Sequence, residues 1–389
     1  MTRREFLKAL AGAAVGAVSL AQGVSPAMAQ LDPAKKIKIG IVGGGFGAAF
    51  QWHLDPNCVV AAVSDLRPDR RAYLQDVYKC DRPYESLEVL VKDKELDAVA
   101  VFSGAPDHVR HVVECMNHGK HVISAVPAAC SLEECQLLKE TKERTGLKYM
   151  MAETSYYRSE CMLARELYAD GKFGSFVYSE VEYYHNMTGA EKDALWFWNG
   201  QHTWRYGYPP MLYPTHSTAF HVGVTKERLT KVSCLGSEWY DPEAKKNPYN
   251  NPYMNQVALC QGSRGNISRV NVLWGVHAGG ERAQWIGEVG ALYMAGCAGQ
   301  PFIGQFEGQP DLTACSNYLH LLPETMHGET GHGNSHGFIT HEFVSALVEG
   351  REPAVNVYEA LAFTAPGIVA MESCRKGGEQ LAVPSFDLA

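Results

Sequence analysis

The sequence predicts an α/β protein whose first half is a doubly wound parallel sheet. Three observations predict it: a β-branched strand that runs straight into a glycine-rich turn, a second strand that closes on an aspartate, and strand–helix alternation continuing to about residue 151. At 389 residues the chain exceeds what one core usually fills, so two domains are expected. With 46% hydrophobic and 20% charged residues it reads as globular, which excludes disorder, collagen and coiled coil. A net charge of -8 argues against nucleic acid as a partner.

Residues 1–29 read as an address. Thr2-Arg3-Arg4-Glu5-Phe6-Leu7-Lys8 precedes a weakly apolar Ala/Gly/Val run and an Ala27-Met28-Ala29 cleavage pattern, the signature of a twin-arginine signal peptide. The expectation is export of a folded, cofactor-loaded protein to the periplasm by the twin-arginine machinery, with no membrane anchor in the mature chain. Eleven cysteines, an odd number without any C-x-x-C pair, suit buried small hydrophobes better than a disulfide framework.

Residues 30–155 form the expected dinucleotide half. Lys36–Val42 is a strand, and Gly43-Gly44-Gly45-Phe46-Gly47-Ala48 follows as G-x-G-x-x-A opening a helix. Gly43 permits the tight turn, Gly45 lets backbone approach a pyrophosphate, Phe46 lies beside them, and Ala48 is small enough for helix–strand packing. Asp65, closing the strand Val59–Val63, is placed to bind ribose hydroxyls and to favour NAD over NADP, a preference that Arg67 and Arg70 soften. A helix near Arg70–Lys79, a strand Ala98–Phe102, a helix Asp107–His118 and a strand His121–Ser124 continue the alternation. The loops after those last two strands, with Ser103, Pro106, His108, Ala125 and Val126, then face the cofactor. A helix Leu132–Thr145 and a strand Lys148–Met151 close this half.

These motifs together resemble the Gfo/Idh/MocA (glucose-fructose oxidoreductase / inositol dehydrogenase) family: Gly-Ile-Val-Gly-Gly-Gly at 40–45, Ala105-Pro106-Asp107-His108, Gly119-Lys120-His121-Val122 leading to Pro127, and Ala164-Arg165 through Gly171-Lys172-Phe173-Gly174. The resemblance implies that residues 156–389 form an α/β substrate-binding domain with a large open, mainly antiparallel sheet, which packs subunits into a homodimer or homotetramer. One departure is central. The family's Glu-Lys-Pro, whose lysine helps move the substrate's hydroxyl proton, is Ala125-Val126-Pro127 here, and a valine moves no proton.

Val126-Pro127-Ala128 and Leu212-Tyr213-Pro214-Thr215-His216 are in turn similar to glycoside hydrolase family 109, an NAD-using branch, although Ser217 and Ala125 depart from its pattern. The similarity makes Tyr213 and His216 the candidate proton-transfer residues, with Tyr213 also beside the cofactor. If this segment opens a helix, both side chains share one face, and Pro214 suits a helix start. Around them Arg158, Tyr183, His185, Trp204 and Arg205 are candidate sugar contacts, Trp204 within an aromatic run from Trp196 to Tyr208.

His327–Gly337 is a glycine- and histidine-rich segment that tempts a metal reading. His336 and His341 fall on different helix faces, so no metal is expected. The segment reads as a mobile loop lining the sugar pocket, with His332 or His336 bonding hydroxyls. Helices over Phe338–Leu347 and from Val355 to Met371 follow.

The functional expectation is an NAD-dependent oxidoreductase acting on a sugar or glycoside with tightly held, internally recycled NAD. The alternatives are an NAD-assisted glycosidase, working by oxidation at C3, elimination, water addition and hydride return, or a non-catalytic exported sugar-binding relative.

Overall fold

The computed structural model describes residues 34–277, 279–296 and 298–388; the signal expected at residues 1–29 lies outside them. The first sheet contains β1 (Ile37–Val42), β2 (Cys58–Ser64), β3 (Pro83–Tyr84), β4 (Ala98–Val101), β5 (His121–Ser124) and β6 (Tyr149–Met151). All are parallel, in the order β3-β2-β1-β4-β5-β6. The winding direction reverses between β1 and β4, so their carboxyl ends open a crevice. Helices cover the sheet, and accordingly β4 and β6 are buried along their whole length.

Local chemistry sets the boundaries. The helix Leu132–Thr145 begins at Ser131, whose hydroxyl accepts from the Glu134 N–H, and stops at Gly146 with φ 66°. Lys120, buried at the start of β5, donates to the carbonyls of Asp93 and Leu96, so it ties the preceding loop to the sheet rather than reaching the crevice.

The turn after β1 differs from expectation. Instead of an α-helix it opens two short 3-10 segments, Phe46–Ala49 and Trp52–Leu54. The reason is an aromatic plug: Phe50 is buried and stacks on Phe102 at 4.6 Å and on Trp52 at 5.9 Å, pulling the chain inward where a helix would have continued. The close-packing position also falls on Gly47, where a Cβ would come within 3.0 Å of Phe102, while Ala48 is only half-buried.

After β6 the chain forms the helix Ser159–Ala169 and then β7 (Phe176–Tyr184), followed by a small hairpin of β8 (Phe197–Trp198) and β9 (Gln201–His202). β10 (Leu229–Glu238), β11 (Tyr253–Gly262), β12 (Ile267–Leu273), β13 (Gly280–Gly287), β14 (Gly290–Tyr293), β15 (Ile303–Phe306) and β16 (Leu381–Ala382) complete the second sheet with β7. Its order is β15-β14-β13-β7-β12-β11-β10-β16, antiparallel except between β7 and β12. Helix Thr215–Thr225, buried at every residue, packs on one face; the Trp285 ring N–H donates to the Phe220 carbonyl and Ser217 Oγ to that of Asn271. The opposite face leaves Leu235 and Leu259 exposed. Both sheets lie in one compact unit. The ten described cysteines are free, and all but Cys130 and Cys315 are buried.

Helix Val357–Arg375 crosses the segment that leads into Thr215–Thr225. At Gly367 a Cβ would lie 2.2 Å from the Met211 carbonyl oxygen and 2.4 Å from the Pro214 ring. Gly367→Ala is therefore expected to cost about 1–3 kcal/mol, read as a lower denaturation midpoint; an unchanged midpoint would show that the contact is not tight.

Candidate active site

The crevice is lined from three loops of the first sheet. Gly43 holds φ 101°, and a Cβ there would strike the Phe102 carbonyl at 2.3 Å, so the turn presses directly on β4. Gly45 is exposed and open, its nearest would-be neighbour being the Arg70 guanidinium at 3.4 Å. Asp65 accepts from the Gly44 N–H at 2.6 Å and from the Arg67 N–H at 2.8 Å, which fixes its carboxylate at the end of β2 with lone pairs to spare. Arg67 is committed to Asp69 and to the face of Trp198, whereas Arg70 makes no ion pair among the described residues. With no long helix behind the turn, Arg70 is the positive charge nearest the glycines. Sequence reasoning had given it only to cofactor preference.

The next loops are pinned internally. His108 is buried, with Nδ1 2.8 Å from the Pro127 carbonyl and Nε2 3.1 Å from that of Ser103, so it ties the two cofactor-facing loops together; burial lowers its pKa. Ser103 Oγ meets His111 Nδ1 at 2.8 Å. Pro106 sits in the 3-10 turn Ala105–Asp107. Ala125 and Val126 are buried ahead of the cis Val126–Pro127 bond and bring no ionisable group.

Tyr213 and His216 do meet. Tyr213 precedes the helix Thr215–Thr225 and His216 lies in its first turn, Pro214 occupying the cap position, with ring centroids 5.3 Å apart. Tyr183, from the end of β7, lies 4.5 Å from His216 and 6.0 Å from Tyr213, and Trp274 closes the box 5.9 Å from both tyrosines. Arg205 stacks on Trp204 at 4.3 Å and lies 5.6 Å from the Tyr213 ring without an ion-pair partner among the described residues. Trp204 also covers Gly104, where a Cβ would be 2.7 Å from the indole, so this aromatic arm reaches the cofactor loop. His185 flanks Trp274 at 6.1 Å, and burial lowers its pKa. The rest of the aromatic run divides: Trp196 packs with Tyr206 and Trp239, while Trp198 serves Arg67.

Two acidic residues were missed. Glu153, two residues beyond β6 and fully buried, places Oε1 2.7 Å from His216 Nδ1 and also accepts from the Ser155 N–H; its Oε2 has no partner among the described residues. Its place at the carboxyl end of a parallel strand was an available signal. Glu281 stands opposite Tyr183 in the β7–β13 ladder and binds Arg158 through both oxygens, at 2.9 and 3.2 Å, and Ser155 Oγ at 2.6 Å. That register was invisible in the sequence, and it leaves Arg158 neutralised rather than free for a ligand.

Burial alone would lower the His216 pKa, but the Glu153 carboxylate, helped by Glu281, overrides it and raises the value above the ordinary one. Burial likewise opposes ionisation of Glu281, and Arg158 with His216 still pulls it down to about 2. Tyr183 is driven well above its usual range, mainly by burial. The carboxylate thus holds His216 through Nδ1 and favours its charged form, with the Tyr183 and Tyr213 rings packed beside it.

His336 and His332 lie at the other wall. His336 Nδ1 is 3.0 Å from the Ala49 carbonyl, and His332 packs edge-on against Phe46 at 5.8 Å, so the segment reaches the nucleotide turn. No cluster of three metal-ligating side chains occurs among the described residues.

A glycine turn and a strand-end carboxylate at a winding reversal, facing an aromatic box with a buried carboxylate–imidazole pair, define a dinucleotide-dependent oxidoreductase architecture. Residues 37–153 match the model of the Gfo/Idh/MocA oxidoreductase family, NAD-binding Rossmann fold. Over nearly the whole length the chain is 24% identical to a glycosyl hydrolase family 109 protein of Solibacter usitatus, covering 99% of this chain and 97% of the relative. It is 23% identical to an alpha-N-acetylgalactosaminidase of Tannerella forsythia, covering 99% and 96%. Levoglucosan dehydrogenase, solved with NADH and levoglucosan, shares the fold with a TM-score of 0.76 at 16% identity, over 90% of this chain and all of that one. A scyllo-inositol dehydrogenase from Lactobacillus casei matches with a TM-score of 0.68 at 16% identity, over 90% and 98%.

Because the folded-state pKa of His216 is raised, its contribution to stability is complete below the unfolded value of about 6.5 and is lost as pH rises through the folded value. Glu153→Gln removes the cause. The stability lost in that variant is expected to be greatest in acid and to shrink as pH increases, followed by denaturant titration across pH; a loss independent of pH would dissociate the pair from His216 ionisation.

Proposed function

We propose that the protein is an NAD-dependent oxidoreductase acting on a sugar or glycoside, with the nicotinamide kept bound and recycled within the site. The observation that carries this reading is the buried Glu153–His216 pair beside Tyr213 at the carboxyl ends of the Rossmann strands, which supplies proton transfer where the family's lysine is absent. A bound nicotinamide supplies a reversible hydride acceptor. The open Gly45 backbone, Arg70 and the Asp65 carboxylate suit its pyrophosphate and ribose.

The chain's own residues then have distinct tasks. Tyr213, acting as its phenolate, takes the proton of a sugar carbon or hydroxyl and returns it from the resulting phenol, and protonated His216 beside it stabilises the phenolate charge. Glu153 fixes the His216 ring and its Nδ1 proton. Tyr183, backed by the buried Trp274, offers a face for C–H surfaces, and Arg205 and His185 offer hydrogen bonds to hydroxyls. Arg158 acts through Glu281, shaping the wall.

The full-length similarity to family 109 proteins favours a second reading, NAD-assisted glycoside cleavage, in which the same groups remove the C2 proton after oxidation at C3 and the hydride returns once water has added. Export through a twin-arginine signal fits either form, since a periplasmic enzyme is remote from free cofactor. A second copy of the chain would pack on the sheet face that exposes Leu235 and Leu259.

Purified protein is expected to contain about one NAD per chain, and Tyr213→Phe to lower turnover at least about a hundredfold while retaining the nucleotide. Full activity in that variant would remove Tyr213 from the chemistry. In deuterated water, label at C2 of the released sugar identifies cleavage, and its absence with accumulation of an oxidised sugar identifies net oxidation.

A further inference from the structure

The glycine- and histidine-rich segment is built onto the nucleotide turn from the far end of the chain. Thr325 Oγ1 donates to the Leu54 carbonyl at 2.8 Å. His336 Nδ1 faces the Ala49 carbonyl at 3.0 Å, and because a carbonyl only accepts, that nitrogen carries the hydrogen. His336 Nε2 must then accept from His332 Nδ1, 2.8 Å away, which fixes both tautomers. The His336 ring stacks on Phe50 at 4.6 Å and meets Phe46 edge-on at 5.4 Å. The 3-10 segments that follow Gly43–Gly45 are therefore gripped by two hydrogen bonds and a ring stack.

The segment's backbone is shaped for this contact. His332 and Asn334 hold φ of 53° and 72°, in the left-handed region that few non-glycine residues adopt. At Gly331 a Cβ would lie 2.4 Å from the His336 ring, and at Gly333, with φ 61°, 2.6 Å from Arg158 Nη1. One end thus grips the nucleotide turn, and the other abuts the Arg158–Glu281 pair of the aromatic chamber.

We propose that His332 and His336 form a clamp that holds the glycine turn closed around the dinucleotide and slows its release, converting NAD from a dissociable cosubstrate into a resident group. The physical need is specific to this chain. Its turn has no α-helix to stiffen it, so its conformation is set by what packs against it, and beyond Phe102 and Asp65 that packing comes from His332–His336. Release of the pyrophosphate requires the turn to yield, which breaks the His336–Ala49 and Thr325–Leu54 bonds. The inference rests on the NAD reading above and adds to it the cause of retention.

The test is the rate at which NAD leaves the holoprotein. Wild type, the double variant His332→Ala/His336→Ala and the single variant His336→Gln are loaded with NAD, diluted into an NAD-degrading glycohydrolase, and sampled for bound nucleotide over time. The double variant is expected to lose NAD roughly five- to thirtyfold faster, as for the loss of one or two hydrogen bonds of about 1 kcal/mol each, with an unchanged association rate. Release at the wild-type rate overturns the clamp. If the double variant does not fold, Phe46→Leu, which removes the ring that His332 and His336 abut, is measured in its place with the same two outcomes. A wild type that neither contains nor takes up NAD would instead overturn the cofactor reading itself.

Discussion

A buried carboxylate–imidazole pair joins the two sheets beside the crevice. Glu153 belongs to the end of the parallel sheet and His216 to the helix that covers the antiparallel one, and their atoms approach to 2.7 Å with almost no exposure to solvent. A carboxylate in such a place is tolerated only with a partner, because desolvation otherwise opposes its charge. The pair therefore holds the crevice against the aromatic box, favours the charged form of His216 and fixes its ring through Nδ1. The outer elements serve that geometry: Val357–Arg375 presses Gly367 onto the Met211–Pro214 segment, and Ser217 and Phe220 anchor the same helix to the second sheet.

The absence of a lysine at position 126 becomes intelligible in this setting. Val126 is buried, and the loop that would have presented an amine is tied by His108 to its neighbour instead. On the opposite wall Tyr213 stands beside His216, and on the reading proposed above that pair handles the proton of a reaction in which hydride is lent and returned.

Much of this was legible in the residues. The parallel strands announce themselves by β-branched runs, the helix Leu132–Thr145 by Ser131 and Gly146 at its ends, and Tyr213 and His216 by a short motif. What was not legible depended on tertiary contact. The expected helix after Gly43 gave way to 3-10 turns because Phe50 found Phe102, a partner fifty-two residues away beyond β4, and stacked on nearby Trp52. Arg158 looked like a free sugar ligand until the β7–β13 register brought Glu281 to it. The aromatic run from Trp196 to Tyr208 read as one cluster, and only packing divided it between core, nucleotide side and site. The histidine segment reads in sequence as a mobile lining of the sugar pocket, and tertiary contact also bonds it to the nucleotide turn through His336.

The central claim is that the nicotinamide is recycled where it is bound. It is tested most directly by incubating NAD-loaded, desalted protein with a panel of glycosides, without added nucleotide, and following product by mass spectrometry alongside the absorbance of reduced nicotinamide. The account predicts many equivalents of product per enzyme with no lasting rise in reduced cofactor. One equivalent of oxidised product, accompanied by complete reduction of the bound nucleotide and then arrest, would contradict it.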